Sequence, residues 1–183
     1  MEFVLTYEGT LPAAGTAAQK HRIRRTLHPQ LRELWKTHAG LEANQYLLEP
    51  SAMGSVVRQL GPFNFAPFVC AELSLLAALD VLLLRPGPPG AVISSRADLD
   101  NQLKTLLDAL RAPLNLKELP TSESPEEQED PFFCLLDDDR KVIDLRVRAE
   151  QLLDPTADPL SVRALIRVTV RAESWTPENT LLL

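Results

Sequence analysis

Apolar and polar positions alternate at the start of the chain. Phe3, Leu5 and Tyr7 interleave with Val4, Thr6 and Glu8, a period-two pattern that predicts a strand ending near Gly9 and Pro12. The alternation returns late in the sequence. Ile143, Leu145 and Val147 fall on one side with Asp144, Arg146 and Arg148 on the other, and Ile166, Val168 and Val170 face away from Arg167, Thr169 and Arg171. Two half-buried strands with basic outer faces follow.

Residues 98–111 carry the other periodicity. Leu99, Leu103, Leu106, Leu107 and Leu110 recur at three and four residues, forming an apolar helical stripe that Pro113 stops. A second helix is predicted from Pro29, since proline suits the first helical turn, with Leu31, Leu34 and Trp35 inward. Residues 39–60 fit a loop and a short helix. Ala71–Arg85 stays open: its Ala and Leu content favours helix, whereas Leu73, Leu75, Ala77, Leu79, Val81 and Leu83 share one face at period two. Arg85-Pro86-Gly87-Pro88-Pro89-Gly90 breaks whichever element precedes it.

Length and composition set the frame. At 183 residues with 45% hydrophobic content, one domain with a sizeable core is expected over residues 1–173, with a loosely packed tail at 174–183. The net charge of -6 argues against a general nucleic-acid coat. Much of it sits in residues 117–131, where six acids accompany the single base Lys117, and the rest of the chain is close to neutral. That segment reads as a mobile acidic loop insertion. Cys70 and Cys134 lie in apolar strings and read as buried thiols of a reducing, cytoplasmic protein. The N-terminus lacks the basic start and apolar run of a secretion signal, and the longest apolar stretch is interrupted by Ser74 and Asp80, so no membrane partner is expected. No phosphate-binding glycine loop is present, so no nucleotide cofactor is expected. His21, His28 and His38 have no cysteines at metal spacing.

Two acidic groupings could carry chemistry. Asp100, Lys104 and Asp108 are spaced four apart on one helix face, beside Asn101 and opposite the leucines, with Asp98 at the helix start. Two readings stand: a capped, solvated helix face, or carboxylates that hold Mg²⁺ or Mn²⁺ through oxygen donors. The run Asp137-Asp138-Asp139 reads either as a polar turn or as the completion of that metal site. Lys20, Arg22, Arg24 and Arg25 form a basic cluster able to grip a phosphate backbone.

The segments Asp98-Leu99-Asp100-Asn101-Gln102-Leu103-Lys104 and Leu136-Asp137-Asp138-Asp139-Arg140-Lys141-Val142-Ile143-Asp144-Leu145-Arg146-Val147 resemble the motifs of the RusA-type Holliday junction resolvases. The likeness covers roughly residues 71–112 and 132–172. It implies an α/β (α+β) fold with a mixed, mostly antiparallel sheet packed against helices. It also implies a homodimer and Mg²⁺-dependent cutting of branched DNA, placing the chain among DNA recombination and repair endonucleases. By position, Asp98 and Asp100 match the first two essential acids, Lys104 the important lysine, and Asp138 and Asp139 the double acid, with Asp139 catalytic. Asp137 is the alternative if the register slips. The resemblance places a strand before the motif, which favours strand over 71–85. Lys20, Arg22, Arg24, Arg25, Arg96 and Asn101 are the expected DNA contacts. The long acidic segment, the single nearby Arg96 and the acidic total depart from the family pattern.

Overall fold

A computed structural model describes residues 1–86, 99–121, 123–154, 156–158 and 161–183. The chain is α+β, with two mixed sheets packed against helices. The larger sheet has the order β1-β7-β4-β6 and is built from Glu2–Thr10 (β1), Leu75–Arg85 (β4), Val142–Gln151 (β6) and Ser161–Ala172 (β7). β7 pairs antiparallel with β1 and β4, while β6 runs parallel to β4. The smaller sheet joins Arg58–Leu60 (β2), Phe63–Val69 (β3) and Phe132–Leu136 (β5), with β3 and β5 parallel.

The open question over 71–85 resolves as a strand. Leu75, Ala77, Leu79, Val81 and Leu83 all point into the core, and β4 is bonded on both sides. A ladder on each edge and packing on one face outweigh the helical preference of Ala and Leu.

The first helix, α1, spans Ala17–Thr37, so it begins well before Pro29, which lies inside it on the exposed side. The start is set by a capping box: Thr16 accepts from the Gln19 backbone N–H while the Gln19 side chain accepts from the Thr16 N–H. Extending the helix backwards gives a long buried stripe of His21, Arg24, His28, Leu31 and Trp35, with Ile23 and Leu27 beside it. Residues 39–43 form the short helix α2.

The helix α3, Leu99–Leu110, packs along the β1–α1 connection and the first turns of α1. Three polar contacts fix it there. Gln102 donates to the Leu11 carbonyl, Thr105 accepts from the Gly15 N–H, and Lys20 pairs with Asp108. Its buried face is therefore Gln102, Thr105, Leu106, Ala109 and Leu110, rotated from the leucine stripe so that Leu103 and Leu107 are only half-buried.

The C-terminal residues are not loosely held. A capping box on Thr176 starts α4, Pro177–Thr180, and Asn179 is fully buried, donating to the carbonyls of Leu73 and Ser174. Leu182 joins the main core. No helix among the described residues is long and apolar enough to cross a membrane.

Candidate functional site

Asp98 and Arg96 lie outside the described residues. The rest of the first motif does not, and α3 sets Asp100, Asn101 and Lys104 on its exposed face. The helical spacing that placed Asp108 with them holds, but Asp108 is not open. Lys20 reaches one carboxylate oxygen at 2.5 Å and Arg111 the other at 3.4 Å. The exposed part of the motif is therefore the first half of α3.

The second acidic run follows β5 and divides its three acids among different tasks. Asp137 is buried: its Oδ2 accepts from the Ala71 N–H at 3.1 Å and from Arg58 at 3.3 Å, tying β5 to the end of β3. Its Oδ1 is also buried and has no hydrogen-bond partner. Asp138 caps the single turn Asp139–Lys141, accepting from the Arg140 N–H at 2.9 Å and from the Arg140 guanidinium at 2.9 and 3.1 Å. Those bonds hold the Asp138 carboxyl well below the usual carboxylate range. Asp139 is exposed.

These acids and Asp100 sit by opposite ends of α3. The residue that follows the helix, Arg111, bridges to Leu136, and the Ala112 N–H donates to the Leu136 carbonyl at 2.8 Å. Burial works against the Arg111 charge, but the Glu118 hydrogen bond and the carboxylates of Glu118, Asp108 and Asp139 more than offset it and raise its pKa. Asp139 thus lies within electrostatic reach of the C-terminal end of α3, whereas Asp100 stands in its first turn, about 16 Å away at 1.5 Å per residue. Among the described residues, no three His, Cys, Asp or Glu side chains gather as a metal-binding group.

The basic cluster Lys20–Arg25 is largely occupied inside the molecule. Arg24 is buried rather than surface-exposed, donating to the Arg111 carbonyl at 2.9 Å and the Asp108 carbonyl at 2.7 Å. It closes the C-terminal end of α3, where carbonyls lack helical partners. Lys20 is taken by Asp108. Arg25 forks onto Glu129 at 2.8 and 3.1 Å and reaches Glu123 at 2.6 Å. Arg22 remains exposed and forms no ion pair among the described residues.

The same contacts correct the view of 117–131 as a free acidic loop. Glu129 is buried, and the Gln128 carbonyl lies 2.9 Å from His28 Nε2. The other ring nitrogen of His28 accepts from the Phe133 N–H at 2.9 Å, so one neutral imidazole bonds the segment and β5 together. His21 is wholly buried between Phe63 and Phe132, with ring centroids 5.1 and 5.3 Å away, and burial pushes its pKa down to about 4. A cleft of about 650 Å³ between α1 and this segment is lined by Arg22, Arg25 and Arg32 on one side and Glu126 and Glu129 on the other. Sequence reading missed this pairing because its partners lie about a hundred residues apart. The available signal was the stripe His21, Arg24, His28, Leu31, Trp35, which shows these basic residues facing inward once α1 is extended.

No protein-family model matches the chain, and no curated protein matches it significantly.

Proposed function

We propose that this chain is a metal-dependent endodeoxyribonuclease resembling the RusA resolvases, hydrolysing phosphodiesters in branched DNA such as Holliday junctions. One observation carries the reading. The strand β4 leads into the Asp98–Lys104 motif, and α3 presents Asp100, Asn101 and Lys104 together to solvent rather than spending them on packing.

In this reading Asp98 and Asp100, with Asp139 or Asp138 from the second run, hold Mg²⁺ or Mn²⁺. All are hard oxygen donors, the type these cations take. The ion supplies an activated water and offsets charge on the scissile phosphate. Lys104, one turn along from Asp100, offsets developing phosphate charge. Arg22 and Asn101 contact the DNA backbone, with Arg96 from outside the described residues. Asp139 stands by the far end of α3 in a single chain, so the reading includes a homodimer. The test is cleavage of a four-way junction with Mg²⁺, with Asp100→Asn as the control. Expected are cuts by wild type and a loss of at least a hundredfold in the variant, as for removal of other essential catalytic groups. No cutting of branched, nicked or linear DNA by either protein overturns it.

One observation favours a second reading, a non-catalytic RusA-like module that binds a divalent metal or a protein partner: Lys20, Arg24 and Arg25 are committed to internal acids and carbonyls. Calorimetric titration with Mg²⁺ or Mn²⁺ separates the two. Binding that Asp98→Asn abolishes, without cleavage of any DNA, supports the module.

A further inference from the structure

The two edges of the larger sheet are treated differently. At the β1 edge the Gln30 side chain of α1 occupies Thr6, accepting from its N–H at 2.9 Å and donating to its carbonyl at 2.7 Å. At the other edge, β6 is bonded to β4 on one side only, and no hydrogen bond among the described residues covers the other side of Val142–Gln151. A ten-residue strand with an open edge is a template for another strand.

The side chains of β6 carry the same message. Leu145 and Val147 lie beside Leu79 and Val81, on the packed face of the sheet, and Ile143 shares that face by alternation. Yet Ile143 is 48% and Leu145 39% exposed. The helices cover this face over β1, β7 and β4 and stop short of β6.

We propose that β6 pairs antiparallel with β6 of a second copy of this chain, about a two-fold axis at Leu145, joining two four-stranded sheets into one of eight. The sequence selects this register. With Leu145 opposite the partner's Leu145, Asp144 stands opposite the partner's Arg146, and symmetry makes the ion pair twice. Ile143 meets the partner's Val147, also twice. Slipping the strands by two residues sets Arg146 against Arg146 or Asp144 against Asp144. Slipping by one puts charged outer residues on the apolar face. Only one register satisfies both faces.

The same pairing has a topological result. Gln151 lies level with Arg85, at the end of the sheet from which β1 runs on to Leu11 and the first turns of α3. In the antiparallel pair, the partner's Asp139 comes level with Gln151. The second acidic run of each copy therefore reaches the end of the joined sheet where the other copy holds its Asp100. The strand pairing does not depend on the nuclease reading, and oligomeric state tests it without any DNA.

The experiment is sedimentation equilibrium over a concentration series, with circular dichroism to check the fold. Asp144 and Arg146 are both exposed, so their replacement leaves the core alone. Wild type is expected to dimerise. Asp144→Arg and Arg146→Asp each bring like charges together twice and should weaken the dimer by about tenfold or more. The double variant restores opposite pairs and should regain wild-type dimerisation. A wild type that stays monomeric up to its solubility limit overturns the proposal. So does a dimer indifferent to both single exchanges, or a double variant no better than the singles.

Discussion

Arg25 on α1 and Glu129 before β5 form a two-point ion pair, Nε to Oε1 at 2.8 Å and Nη2 to Oε2 at 3.1 Å, across a separation of 104 residues. It fastens the acidic segment to the helix that carries the basic cluster. Burial works against the Glu129 carboxylate, but the Arg25 hydrogen bonds and the Glu126 N–H together hold its pKa below the usual carboxylate range. Glu129→Gln is expected to destabilise the protein by about 2 kcal/mol and to open residues 117–131 to limited proteolysis. A group with a depressed carboxyl pKa contributes above its unfolded value, near pH 4.3, and the contribution is lost as pH falls through the folded value. The variant and wild type should therefore converge in stability on the acid side, as followed by denaturant titration at several pH values.

His21 gives a second acid-side dependence. Burial between Phe63 and Phe132 is the main cause of its lowered pKa, with the charges of Arg25 and Arg24 adding to it. The folded value of about 4 lies below the unfolded value near 6.5, so the unfolded chain takes up the proton first. Stability is complete above about pH 6.5, declines as pH falls, and levels off below about pH 4, a total of roughly 3 kcal/mol. His21→Phe should flatten that part of the stability curve. An unchanged slope between pH 6.5 and 4 in the variant would show that other groups cause it.

Much of this arrangement was legible in the chain, and the exceptions have physical causes. β1, β7 and α3 show their periods because each buries one face and wets the other. The strand β3 was hidden by Pro67, which normally argues against a strand. Here β2 pairs only as far as Phe65, so the position without an N–H lies beyond the β2 ladder. The start of α1 was hidden because Pro29 mimicked a first-turn proline while the Thr16 capping box lay thirteen residues upstream. At the candidate site, the acids were readable as a motif but their distribution was not. That Asp137 would be buried beside Ala71, and Asp108 taken by Lys20, depends on contacts between distant segments.

Arg24 offers a direct contrast between a surface and a core role. Its guanidinium ends in the carbonyls of Arg111 and Asp108, so Arg24→Ala should cost about 3 kcal/mol and leave those oxygens without donors. Arg22→Ala, on the exposed side of the same helix, should stay within about 0.5 kcal/mol of wild type. Chemical denaturation of the two variants checks the difference.

The thiols should be silent in the native state. Cys134 is buried and its pKa is pushed up to about 12, and burial raises that of Cys70 as well. A thiol reagent is expected to label neither residue until denaturant is added, when both should react. Labelling of either under native conditions would show that its strand opens locally.

The place of Gly40 tests the docking of the C-terminus. A β-carbon there would collide with the Leu181 carbonyl, which is backbone and cannot swing aside. Gly40→Ala should release Leu182 from the core, lower thermal stability and make the last residues cleavable by carboxypeptidase.

The Gln30 side chain has an effect beyond the strand it touches. A sheet with two open edges can add copies without limit, and such growth ends in a fibre. With Thr6 engaged by Gln30, growth along β1 is blocked at its middle, and β6 is left as the long free edge of that sheet. Assembly through a single self-complementary edge consumes that edge, so it halts at two chains. One glutamine on α1 thereby separates a closed particle from an open filament.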